Sequence, residues 1–230
     1  MSLELACGAA GVAAAAGWPA AGAIEALASW SAGVGNGDGG RSGHADPRPA
    51  TTARAWPISL LLAAAAFAVA ARLHPALVAV AGCWLVVCGV PLAVIDVRVR
   101  RLPDVLTGAS LAGLAALLTV AAASAADWHD LARAGAGGLA VGSLFGLLAL
   151  AQPGSAGLGD AKLGLSTGAL AAWFGWGALL ASVFAAFMLA AAAGLWLVGT
   201  RRARLRGGSL PFGPFLLAGC LVVVLLPGYI

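Results

Sequence analysis

Residues 91–107 read PLAVIDVRVRRLPDVLT. An apolar run ends at Asp96, the basic residues Arg98, Arg100 and Arg101 follow, and Pro103 with Asp104 opens a second apolar run. This is the form of one membrane span leaving the bilayer and the next re-entering it. Arginines in a short loop hold that loop on the cytoplasmic side. Proline in the first turn, with an acid beside the positive end of the helix, suits a helix start.

The same alternation continues on both sides of this stretch. Apolar runs predict spans at about 56–73, 76–95, 104–124, 133–151, 160–175, 176–199 and 211–227. The chain has 230 residues, of which 61% are hydrophobic and only 10% charged, and its mean hydropathy is +0.96. Soluble domains carry about 25% charged residues, so this composition excludes a soluble globular protein. The runs approach the ~20 residues a spanning helix needs. They lack the period-two alternation of a membrane barrel. The predicted fold is therefore all-α, a polytopic transmembrane helix bundle of seven to eight spans. Trp173, Phe174, Gly175 and Trp176 predict a tight interfacial turn, and Trp56 and Trp128 fall near span ends.

Three regions follow. Residues 1–30 form a weak N-terminal hydrophobic segment, either a first span or a poorly inserted amphipathic stretch, without the basic start of a signal peptide. Residues 31–55 are a polar Gly/Pro-rich linker, expected on the cytoplasmic side. Residues 56–230 are the transmembrane domain. Alternating spans from the Arg98–Arg101 loop puts Arg41, Arg48, Arg54, Lys162, Arg201, Arg202, Arg204 and Arg206 on that same side, and only Arg72 and Arg133 opposite. The net charge of +4 thus reads as membrane orientation, not nucleic-acid binding. Cys7, Cys83, Cys88 and Cys220 form no CxxC pair and read as small apolar helix residues.

Two aspartates stand where charge is expensive. Asp96 ends the run quoted above, and Asp160 lies in GSAGLGDAKLG, residues 154–164. A carboxylate at membrane depth costs several kcal/mol (~2.5–3.5 on insertion scales) unless it lines a polar cavity or has a partner. The span map puts both on the cytoplasmic boundary, at the end of the second span and the start of the fifth. Gly157, Gly159, Gly164 and Gly168 would let those helices approach closely. Two close carboxylates share a proton, and such a pair suits peptide hydrolysis: the ionised member takes a proton from water while the protonated member polarises the carbonyl. No metal is expected, because His44, His74 and His129 fall in loops away from both aspartates. Structural roles compete. Asp96 can pair with Arg98 or Arg100, and Asp160 can cap its helix. Asp104 reads as a helix-start acid. Lys162 either pairs with a carboxylate or snorkels to the headgroups.

At these residues the chain resembles the prepilin peptidases, or type IV leader peptidases, of the GxGD class of intramembrane aspartyl proteases. Asp96 followed by Pro103-Asp104-Val105-Leu106-Thr107 is similar to the family's first-aspartate region. Gly157-Leu158-Gly159-Asp160-Ala161-Lys162-Leu163 matches its GxGDxKL motif. Leu210-Pro211-Phe212-Gly213-Pro214-Phe215 is similar to its PFGPF segment. The resemblance covers about residues 56–227. It implies catalytic roles for Asp96 and Asp160. Gly157, Gly159, Lys162, Pro103 and Asp104 would support the motifs, with Asp104 on the adjoining non-catalytic position. It further implies removal of a short basic leader from type IV prepilin or pseudopilin precursors, at the cytoplasmic face of the bacterial plasma membrane, without a cofactor. The partners implied are those precursors and membrane lipid. Many bacterial members carry two CxxC pairs after the first span. The linker 31–55 has no cysteine, which argues against a zinc-binding insertion and against N-methyltransferase activity.

Two other readings stay open at this level. A small transporter or channel would use the aspartates as an ion or proton relay, but would carry broken helices in both halves, and the GLGD stretch has no second copy. An inactive assembly homologue would keep the fold without the chemistry.

Overall fold

A computed structural model describes residues 56–73, 75–99, 104–151, 158–200 and 212–226. The N-terminal segment 1–30 and the linker 31–55 lie outside the described residues, as do the loop arginines at 100–101 and 201–206. The described residues form seven helices: α1 (Trp56–Arg72), α2 (Ala76–Val99), α3 (Asp104–Ala125), α4 (Trp128–Ala151), α5 (Leu158–Trp173), α6 (Trp176–Gly199) and α7 (Gly213–Leu225). No strand occurs among them. The protein is an all-helical membrane bundle.

Each predicted span coincides with a helix, but fewer of the helices are long enough to cross a bilayer than the seven to eight expected. Four described segments are both long and apolar enough: Ala76–Asp96, Asp104–Ala125, Trp128–Ala151 and Trp176–Gly199. The others are shorter, with 17 residues in α1, 16 in α5 and 13 in α7. At 1.5 Å per residue α5 is about 24 Å long and α7 about 20 Å, against a hydrocarbon core of about 30 Å. Their ends therefore need partners that lipid cannot supply. Two arginines provide them. Arg133 Nε donates to Ala172 O at 2.7 Å and its Nη2 to Trp173 O, covering the last carbonyls of α5. Arg72 Nη1 donates to Leu225 O at 3.2 Å, at the end of α7. These are the two basic residues that the span map places opposite the rest. Both act as cationic caps on helix C-termini.

The map misplaces one helix start. α4 begins at Trp128, five residues before the predicted span, so His129 sits in its first turn and not in a loop. Asp127 caps this turn, accepting from Asp130 N at 3.4 Å. The predicted Trp-flanked turn is present: Phe174 N donates to Ala171 O and Gly175 N to Ala172 O, and Gly175 has φ +127, a conformation that favours glycine.

Small residues set the helix spacing. Gly137, Gly138 and Gly142 of α4 face Gly164, Leu165, Gly168 and Ala169 of α5, and a Cβ on Gly138 would stand 2.7 Å from Leu165 O. Gly164 and Gly168 were expected to admit α2; they face Val141 and Gly137 of α4 instead. Helical period shows that such residues share a face but does not name the neighbour. α2 and α3 join where the Trp84 ring covers Gly113 and Trp84 Nε1 donates to Ser110 O at 3.2 Å.

α7 is held on three sides. Leu217 packs over Gly89 of α2, Cys220 Sγ donates to Thr167 O of α5 at 3.4 Å, and Gly219 lies against α6. A Cβ on Gly219 would meet Ser182 O at 2.5 Å and Ala186 N at 2.7 Å, both backbone atoms. Gly219→Ala is therefore expected to destabilise the bundle by about 1–3 kcal/mol, since α6 or α7 must shift bodily. A lowered midpoint in thermal unfolding in detergent would show it; an unchanged midpoint would mean that α7 is not seated as described.

Candidate active site

Three helix ends meet at one end of the bundle. Asp96 lies in the last turns of α2, Asp160 is the third residue of α5, and Gly213 is the first residue of α7. α2, α5 and α7 pack against one another pairwise. The apolar character of 76–95 buries α2 along its length up to Asp96. Pro91, inside α2, has no N–H for the Val87 carbonyl and loosens the helix ladder one turn before the carboxylate. α5 starts Leu158-Gly159-Asp160, so Asp160 enters the bundle within the first helical turn.

Both carboxylates are buried, with Asp96 5% and Asp160 6% exposed. They converge on Gly213. The position a Cβ would take there is 2.8 Å from Asp96 Oδ2 and 3.5 Å from Asp160 Oδ1. Two residues 64 positions apart in sequence thus bring their carboxylates to within reach of one point. The space exists only because residue 213 has no side chain. Sequence reading cites Gly213 only as part of the PFGPF resemblance. A glycine followed by proline at the start of an apolar run is the signal that marks it.

The other residues singled out divide cleanly. Lys162 pairs with Asp104, Nζ to Oδ1 at 2.5 Å, which decides between pairing and snorkelling. The bridge ties the first turn of α3 to the first turn of α5. Thr107, one turn into α3, is buried and donates to Asp104 O at 3.1 Å. Gly159 is the second residue of α5 and partly buried. Gly157 and Pro103 lie outside the described residues. The Asp104 side chain is 80% exposed and that of Lys162 42%. Exposed ion pairs contribute about 0–1 kcal/mol. Asp104→Asn and Lys162→Ala are accordingly expected to change activity by no more than about fivefold, this range expressed as a rate. A loss of a hundredfold in either would show that the bridge aligns Asp160.

Aromatic rings close one side of the site. Phe212 lies 5.1 Å from Phe145 of α4, 5.0 Å from Phe187 of α6 and 6.3 Å from Phe215, measured between ring centroids. They form an apolar wall next to Gly213. The arrangement has the parts for acid–base chemistry in a shielded setting: two neighbouring buried carboxylates and low-polarity surroundings.

A helical membrane bundle with two acids gathered at one end fits a membrane-embedded protease. The chain belongs to the type IV leader peptidase family, whose profile matches residues 79–195, just over half its length. The match takes in Asp96, Asp104, Asp160 and Lys162 and ends before Gly213. No curated protein and no solved structure matches the chain.

Proposed function

We propose that this protein is an intramembrane aspartyl endopeptidase that removes the leader from type IV prepilin or pseudopilin precursors, with Asp96 and Asp160 as the catalytic pair. The observation that carries the reading is the convergence of both buried carboxylates on Gly213.

The pair works with one proton between its two carboxyl groups. The ionised carboxylate takes a proton from a water held between them, and the water oxygen bonds to the carbonyl carbon. The protonated carboxyl gives its proton to the carbonyl oxygen. Collapse of the tetrahedral intermediate breaks the C–N bond: the proton taken from water passes to the departing nitrogen, and a hydroxyl proton of the intermediate returns to the other carboxylate as the carbonyl reforms, which restores the one-proton pair. The leader leaves with a new carboxylate, and the apolar helix keeps a new N-terminal amine. The grouping of basic residues in the sequence supports a cytoplasmic position for this end of the bundle, within the plasma membrane.

Purified protein in lipid vesicles, incubated with a prepilin from the same genome, tests the reading. The expected product is a shortened precursor whose new N-terminus, found by mass spectrometry, begins the apolar segment. A precursor that stays intact under conditions where the protein is folded removes the prepilin assignment.

A further inference from the structure

A cleft opens on the outer side of the bundle and ends at the aromatic wall beside the carboxylates. α4 packs along α5 and α6 packs chiefly on α7, so α4 and α6 diverge. The cleft between them holds about 490 Å³ and is lined by Ala140, Val141 and Leu144 of α4 and by Leu180, Phe184 and Phe187 of α6. Leu180, Phe184 and Phe187 stand at i, i+4 and i+7, one stripe of α6. Ala140 and Leu144 form the matching stripe of α4. The cleft therefore runs parallel to the helices, for about 10 Å between Leu180 and Phe187.

Its end is what distinguishes it from ordinary lipid-facing surface. Phe187 lines the cleft and also stacks with Phe145 at 6.2 Å and touches Phe212 at 5.0 Å. Phe212 directly precedes Gly213, at which Asp96 and Asp160 meet. The inner end of the cleft is thus the outer face of the aromatic wall that borders the acids.

We infer that this cleft is the dock for the apolar helix that follows the scissile bond in the substrate. The inference rests on the protease reading above. One face of that helix inserts between α4 and α6, in the manner of a helix laid in a groove. Its first turn rests on Phe187 and Phe212, and the preceding peptide bond reaches the carboxylates. The direction of the cleft fits this occupant. It runs from near the start of α6, where Leu180 is the fifth residue, to Phe187 on the side of the acids, as a membrane helix with its cleavage site at one end requires. A lipid chain has no peptide bond to present to the carboxylates.

The test places a photo-crosslinking phenylalanine analogue at Leu180 in an Asp160→Asn protein co-expressed with the prepilin. The same analogue at Val120, an exposed apolar residue of α3, serves as the control. The expected result is an adduct with the precursor from position 180 and none from 120. Adducts only with lipid, only with a second copy, or equally from both positions overturn the dock. In a separate arm Ala140→Trp, at an exposed site, fills the cleft of the otherwise unaltered protein. Processing is expected to fall about tenfold through a raised KM, because the lost binding comes from a remote part of the substrate. Unchanged processing overturns the dock. The two readings fail separately. A precursor cut by the unaltered protein without an adduct at 180 removes the dock and leaves the protease. An adduct at 180 with an uncut precursor removes the protease and leaves a binding cleft.

Discussion

Asp96→Asn and Asp160→Asn are each expected to lower prepilin processing by about a thousandfold, within the range that general acid–base groups contribute. Asparagine keeps the shape of the side chain but neither holds the charge that takes a proton from water nor supplies an acidic proton. The effect should fall on kcat, because the carboxylates act on bonds that change only in the transition state. Folding should survive. Each site is buried, and exchanging a buried acid for a neutral isostere removes a desolvation cost. Immunoblots of cells making each variant with its precursor would therefore show normal enzyme levels and no mature band. The double variant should be hardly worse than either single one, since the pair acts as a unit. Retained processing in both single variants would end the aspartyl mechanism and return weight to an ion relay.

Gly213→Ala is expected to lower processing by about a hundredfold while leaving the protein folded, a value typical of a misplacement of about 1 Å at a reacting centre. The added methyl group would stand 2.8 Å from Asp96 Oδ2 and 3.4 Å from its Cγ. The Asp96 carboxylate or the start of α7 must give way, and either movement spoils the common position of the two acids. The atoms in conflict are side-chain atoms at a helix end, so the stability change should stay near the lower end of the 1–3 kcal/mol seen on overpacking, about 1 kcal/mol. Gly194→Ala provides the contrast. Nothing lies within 4 Å of a Cβ there, so processing should be unchanged and stability raised by about 0.5–1 kcal/mol as helix propensity improves. Full activity in Gly213→Ala would mean that the carboxylates work from a different arrangement from the one described.

Much of this was legible in the sequence, for identifiable reasons. The helices declare themselves because lipid demands long apolar runs, and the runs at 104–124 and 176–199 match α3 and α6 almost residue for residue. Asp96 and Asp160 stand out because charge is rare in such runs. The start of α4 was missed because hydropathy does not register a polar interfacial turn; Asp127, a good capping residue, carried the signal. The partner of Gly164 and Gly168 was misassigned because a small-residue face says how closely a neighbour approaches, not which neighbour it is. The Gly213-Pro214 step marks a helix start in the sequence but not the role of Gly213. That role arises only when three helix ends from distant parts of the chain come together, and what matters there is an absent atom.

On the proposed function, the arginine caps on α5 and α7 also bear on where the carboxylates stand along the membrane normal. Arg133 and Arg72 seek the headgroup layer at the end of the bundle away from the acids, and the carbonyls they hold are drawn to that level. Both helices are shorter than the hydrocarbon is thick, so their opposite ends stop about 6–10 Å beneath the other surface. On the proposed orientation Asp160, at the start of α5, and Asp96 beside it sit at the floor of a recess and not flush with the membrane. Water has to descend to them. An extended chain advances about 3.3 Å per residue, so roughly two or three residues of any substrate must be unwound and drawn down before the bond is within reach. On this view the depth of the floor, set by two guanidinium groups at the far side, measures out how much of a helix has to melt before it can be cut.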